Sequence, residues 1–172
     1  MRRLILIAAV ALALPACRPR DKIRPEPTEE NLNLLSEVHM ADPAAARQLI
    51  SGFHPLEQNS WRWTQGKFAV ILQPPAGSEK AGAQVYVQLT VPPPVIDRLK
   101  GVTLSILLKG AQLGSATWRA AGEYTFSADV PAASLGTEPV TFDFVLDRFL
   151  AAGAVDSREL GLIVSSVALR KR

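Results

Sequence analysis

The stretch from Ser60 to Gln65 reads SWRWTQ and holds two of the three tryptophans in the chain. Trp61 and Trp63 are two residues apart, so on a strand they share a face while Arg62 points the other way. Indole rings stack on the apolar C–H faces of sugars, and arginines, amides and carboxylates bind the hydroxyls at the rim. Exposed, Trp61 and Trp63 beside Arg62, Gln65 and Glu57 would form a glycan platform. Tyr86, on the polar side of its strand between Gln84 and Gln88, is a second candidate platform. The competing reading is burial, because indoles are also large core residues. Burial is favoured for at least one member of the pair and for Trp118.

Catalytic chemistry is sparse. The two histidines are His39 and His54. His54 and Glu57, in HPLE, would have to meet in space to act as an acid–base pair, and they read more simply as a loop histidine beside a solvated glutamate. Zinc needs three or four ligands at workable spacing, and no such cluster is present. There is no G-x-S-x-G elbow and no glycine-rich phosphate loop after a strand. A glycosidase needs two opposed carboxylates. Asp143 and Asp147 are candidates, but acids at such positions usually form the wet face of a strand. In DSREL, Asp156, Arg158 and Glu159 form either a ligand-recognising polar set or, more simply, an arginine–carboxylate pair that pins the loop. The acids lack a recognisable calcium spacing. The expectation is a protein that is not an enzyme and holds no cofactor or metal.

The N-terminus carries different chemistry. Arg2 and Arg3 precede an apolar run over 4–14, then Pro15, Ala16 and Cys17. A basic start, a short apolar run and a small residue before a cut describe a secretory signal. The run is too short to span a bilayer, which takes about 20 residues. Leu14-Pro15-Ala16-Cys17 resembles the lipobox of bacterial lipoproteins, with proline as a departure from the commonest pattern. The resemblance implies a diacylglyceryl group on the Cys17 thiol, cleavage before it and acylation of the new N-terminus. Cys17 is the only cysteine, so no disulfide within the chain is open to it, and an unpaired thiol in an exported chain asks for an explanation. Each buried methylene adds about 0.8 kcal/mol of membrane affinity, and stable anchoring takes more than one acyl chain. By the family's sorting rule, Arg18 rather than aspartate after the cysteine implies outer-membrane delivery in a host that has one.

The expected organisation is a signal peptide over 1–16, a lipidated cysteine with a flexible tether over 17–30, and one domain over 31–172. The tether segment RPRDKIRPEPTEE is charged and proline-rich, and it cannot bury enough surface to offset its ordering entropy. The formal charge is +3. Losing Arg2 and Arg3 brings it close to neutral, without the basic stripe that nucleic-acid binding requires. The terminal LRKR reads as a solvated basic end.

The domain opens with PAAARQLISGF. Asp42 as N-cap, Pro43 at the start and Gly52 at the end predict a helix that turns Ala46, Leu49, Ile50 and Phe53 to the core. Period-two alternation follows over 67–73, 83–91, 102–110, 111–118, 123–130 and 140–146, and 160–169 is apolar on both faces. The proline runs at 74–75 and 92–94 mark loops or edges. This predicts a mainly β chain, an antiparallel, jelly-roll-like β-sandwich with a short N-terminal helix. SWRWTQGKFAVIL, LLKGAQLGSATW, GEYTFSADVP and DSRELGLIVSSVAL together resemble the galactose-binding-domain-like jelly rolls of bacterial surface proteins. That resemblance implies ligand binding in many members, commonly of glycans, and a purely structural role in others, so function must be argued from a site. Two expectations stand. One is a lipid-anchored envelope protein, non-catalytic, that binds a glycan or envelope polymer. The alternative is a structural or assembly lipoprotein that binds another envelope protein. The exposure of Trp61 and Trp63 separates them.

Overall fold

The computed structural model describes residues 34–172. The expected signal peptide over 1–16, Cys17 and the expected tether up to residue 30 lie outside the described residues. Nine strands follow in chain order: β1 (Glu37–His39), β2 (Leu49–Phe53), β3 (Arg62–Leu72), β4 (Ala83–Val91), β5 (Val102–Leu108), β6 (Ala111–Trp118), β7 (Gly122–Val130), β8 (Val140–Leu146) and β9 (Ile163–Lys171). Alternation fixes their faces. Val85, Val87, Leu89 and Val91 of β4 are buried, as are Val102, Leu104, Ile106 and Leu108 of β5 and Val140, Phe142, Phe144 and Leu146 of β8.

Pairing is antiparallel throughout, in the order β6-β5-β8-β3-β9-β4-β7, with β1 added on β9 and β2 on β3. β3 takes part in both layers. Its residues Lys67–Leu72 pair with β8, and its first two, Arg62 and Trp63, pair with β9. The front layer is therefore β1, β9, β4, β7 and the start of β3, and the back layer is β2, β3, β8, β5 and β6. The two ends of the path approach each other at Gly114, where an added Cβ would lie 3.2 Å from Ala128. The result is a nearly closed antiparallel β-sandwich.

Its core joins Phe68 and Phe144, stacked at 4.7 Å between ring centroids, to the valines and leucines of the front layer. Phe53 meets Phe68 edge-on at 5.3 Å. Trp118 is buried, with Tyr124 at 5.6 Å and Phe126 at 6.0 Å.

Two local expectations are corrected. PAAARQLISGF is not one helix. A 3-10 helix covers Pro43–Gln48, with the Asp42 carboxylate accepting from the Ala44 N–H at 2.8 Å, and the chain then becomes β2. Three residues per turn bring Ala45 and Gln48 inward, while Ala46 and Ile50 are exposed. The cause is tertiary. The buried Gln48 amide accepts from the Leu35 N–H at 2.8 Å and donates to the carbonyls of Leu35 at 3.0 Å and Ile71 at 2.7 Å. That ties the turn to β3, and the residues after it pair with β3 instead of continuing the spiral. Second, Pro93 and Pro94 open a helix, Pro93–Leu99, since proline suits a first turn that has no N–H bonds to lose. The terminal basic residues Arg170, Lys171 and Arg172 are exposed, as expected of a solvated end, and two of them make surface ion pairs. Leu169 is buried, Arg170 meets Glu37 at 3.3 Å, and Arg172 pairs with Asp129.

Phe144→Ala removes one member of the central ring stack from a site without solvent access, and the expected cost is about 3–5 kcal/mol. Urea unfolding should show a lower midpoint with an unchanged slope.

Candidate functional site

The outer face of the front layer carries the polar half of each alternating strand. Register places Glu123 of β7 beside Thr90 of β4, Thr90 beside Ile163 of β9, and Ile163 beside Trp63 of β3. One row of side chains thus crosses four strands, roughly 14 Å at the usual interstrand spacing. The next row holds Thr125, Gln88, Ser166 and His39. Between these rows β9 bulges, since Gln88 faces Ser166 but Leu89 faces Val164, leaving Ser165 without a partner across the ladder. A bulge bends its strand and re-aims side chains. Here it puts Ser165 into a groove of about 380 Å³, with Gln88 and Thr90 on the floor, Trp61 on one side and Glu123 and Thr125 on the other.

Trp61 stands at the start of β3 because of the turn before it. The Glu57 carbonyl accepts from the Ser60 N–H at 3.1 Å, and the Glu57 N–H donates to the Trp61 carbonyl at 2.9 Å. Gln58 and Asn59, in the middle, both have φ near +50°. Two consecutive left-handed residues make the tight turn that matches strand twist, and for residues other than glycine they are strained. The Trp61 ring is half-buried and meets Trp63 edge-on, 6.5 Å between centroids and 77° between planes. Trp63 packs against the core as its backing.

The other sequence candidates fall elsewhere. Arg62 points away from Trp61, as alternation requires. Its guanidinium donates to the His54 carbonyl at 3.1 Å, and its Nε is enclosed without a partner among the described residues. Tyr86 lies on the same sheet face as the groove but not in its lining. Its hydroxyl donates to the Gln84 amide, and the Arg170 guanidinium covers its ring at 5.1 Å from the centroid. The structure therefore brings Trp61, Trp63 and Tyr86 to one face and puts only Trp61 in the groove. Sequence reasoning put Gln88 beside Tyr86 but missed Glu123 and Ser165, which reach the groove through register and through the β9 bulge.

Behind the groove a charged cluster holds its loops. Arg158 grips Asp156 with two hydrogen bonds, at 3.1 and 3.0 Å, and reaches Glu57 at 2.8 Å with a third nitrogen. Glu159 accepts from the Gly66 N–H at 2.7 Å, and its carbonyl lies 2.6 Å from the His54 Nε2. A carbonyl only accepts, so that ring nitrogen carries the hydrogen. His54 and Glu57 do not form an acid–base pair, since each is committed to a different partner. The Arg158 hydrogen bonds hold the Asp156 carboxyl well below the usual carboxylate range, and Asp156, then Glu57, push Arg158 further up. Glu57 links the two features, because its side chain binds Arg158 while its backbone pairs with Trp61. Among the described residues, no group of three or more His, Cys, Asp or Glu is placed to hold a metal ion.

No family model and no curated protein matches the chain. Among solved structures it is similar to carbohydrate-binding modules. TmCBM27, a module with specific mannan recognition, aligns at 14% identity with a TM-score of 0.47, covering 81% of this chain and 97% of that one. A CBM36 module in complex with calcium and xylotriose aligns at 8% identity and a TM-score of 0.41, covering 77% and 98%. The CBM51-2 and INT domains of Clostridium perfringens ZmpB, with GlcNAc, align at 11% identity and a TM-score of 0.39 over 80% of this chain. The chain spans 28% of that neighbour's length, and 15% of the longer ZmpB structure that includes the M60 catalytic domain.

A carboxylate whose folded pKa is depressed stabilises above its unfolded pKa, about 3.9, and that contribution is lost as pH falls through the folded value. Asp156→Asn should therefore make the loops over 54–61 and 150–161 more readily cleaved by protease at neutral pH than those of the wild type. The gap between the two should narrow progressively as pH falls below about 4, read as cleavage rates by an acid-stable protease against pH.

Proposed function

We propose that this protein is a lipid-anchored envelope protein that binds a glycan or envelope polymer, without catalysis, in the groove beside Trp61. The observation that carries the reading is one indole edging a floor of hydroxyls and an amide. Sugars present an apolar face and a ring of hydroxyls, and this groove offers both complements. Ser166 donates to the Gln88 amide oxygen at 2.9 Å, which fixes that side chain. The Gln88 NH2 has no partner among the described residues and faces outward with the floor. Strands supply nearly all of the lining, so little ordering entropy opposes binding.

Attachment rests on the lipobox-like Leu14-Pro15-Ala16-Cys17. Acyl chains at Cys17 would hold the domain at the membrane surface, where a soluble partner would escape but a polymer of the envelope would be within reach. Delivery to an outer membrane follows from Arg18 where the host has one. Cys17→Ala should abolish metabolic labelling by an alkyne fatty acid and release the chain from the membrane fraction. Labelling that persists in this variant would overturn the anchor.

Glycan binding is tested on an array of bacterial and host glycans, followed by titration of any hit while tryptophan fluorescence is recorded. Trp61→Ala should weaken binding at least about tenfold, about 1.4 kcal/mol, with circular dichroism unchanged. Arg62→Lys should leave affinity within about twofold, because Arg62 faces the His54 carbonyl and not the groove. The absence of any saturable hit would overturn the reading and favour the alternative, a structural lipoprotein whose partner is found by crosslinking in the envelope.

A further inference from the structure

The charge of the groove narrows its ligand, an inference that rests on the glycan reading above. Among the described residues, Glu123 is the only charged side chain in the groove lining, and no lysine or arginine joins it there. It is exposed and has no hydrogen bond or ion pair among the described residues. Over the whole chain acids and bases nearly balance, with 16 Asp and Glu against 19 Lys and Arg, so the negative groove is a local feature and not a share of the net charge. Two basic residues of the same sheet are already engaged. Arg170 meets Glu37 at 3.3 Å and covers Tyr86, and Arg172 pairs with Asp129. Among the described residues, nothing in the groove lining is placed to neutralise an incoming anion.

We propose that the groove selects uncharged and amino-bearing glycans and rejects anionic ones, with Glu123 setting the choice. A carboxylate has two acceptor oxygens and no donor. It takes hydrogen bonds from neighbouring sugar hydroxyls, and bonds to an ionised acceptor are roughly twice as strong as neutral ones. An ammonium on an amino sugar adds attraction. A uronate carboxylate or a phosphate in the same position meets like charge. Trp61, across the floor, serves all three ligand classes equally because each has an apolar ring face. Glu123 is therefore a specificity residue and Trp61 an affinity residue, and their variants should separate.

The experiment uses the full chain purified in a zwitterionic detergent, tested against immobilised neutral polymers (glucan, galactan, mannan), chitosan, and the polyanions pectate and alginate. Wild type should bind within the neutral and amino groups at least about tenfold more tightly than any polyanion. Glu123→Gln should reduce the amino-over-neutral preference severalfold and improve polyanion binding. The amino preference of the wild type should fall in high salt, where exposed charges are screened. Trp61→Ala should lower all binding together, which distinguishes the groove from general attraction of a polycation to the surface. Polyanion binding equal to or stronger than neutral binding, and lost in Trp61→Ala, would overturn the role of Glu123 while leaving the groove a glycan site. Selectivity unchanged in Glu123→Gln would overturn it as well. If nothing binds the wild type, the glycan reading fails and this inference fails with it.

Discussion

The structure depends on one strand belonging to two layers. β3 leaves the front sheet and enters the back sheet within a few residues, and each backbone group at the crossing must find a partner away from water. Thr64 solves this. It is fully buried, its N–H donates to the Leu162 carbonyl at 2.8 Å, its carbonyl accepts from the Gly161 N–H at 2.6 Å, and its hydroxyl accepts from the Leu162 N–H at 3.0 Å. The crossing also needs space. A Cβ at Gly161 would stand 2.6 Å from Leu146 and 2.7 Å from Thr64 Oγ1, and one at Gly66 would stand 2.2 Å from the Phe149 ring. Without this passage Trp63 would not align with Ile163, and Trp61 would have no floor beside it.

The same passage explains why a distant salt-bridge cluster matters to the groove. Glu159 caps the Gly66 N–H at the crossing, and Arg158 beside it grips Glu57, which closes the turn that presents Trp61. The strain of Gln58 and Asn59 in left-handed backbone is held by hydrogen bonds at both ends of that turn. Exposed ion pairs contribute little to global stability. These are about one-third exposed, so their effect is local and concerns where one indole points.

Alternation made most of the fold legible in the sequence. The inward faces of β4, β5, β7 and β8 follow from period two because each strand buries one side only, and a one-residue slip would expose every core residue. Where tertiary contacts override local pattern, the sequence misleads. Leu49, Ile50 and Phe53 have helical spacing, but the Gln48 amide ends the helix by bonding backbone far away in sequence. Period two placed Trp61 and Trp63 on a common face without saying which, since that depends on pairing with β9, about 100 residues later. Glu123 carries no local signature and meets Gln88 only through register. One signal was present: Val164 and Val167, both buried, are three apart instead of two or four, a phase slip that marks the bulge at Ser165.

The bulge and the tryptophan turn have complementary consequences. A flat sheet face covered with threonine, serine and glutamine would bind water as readily as a sugar. Ser165, displaced by the bulge, joins Gln88 and Thr90 in the lining between Trp61, presented by its turn on one side, and Glu123 and Thr125 on the other. Both departures from regular strand geometry fall on the same pair of strands, β9 and β3, next to the crossing that already interrupts regular pairing. The irregularity the fold needs in order to close is thus also what gives its outer face a shape. A substitution that regularised β9 would keep the core residues on their side and flatten the site, which places the groove and the closure of the sandwich under a single geometric constraint.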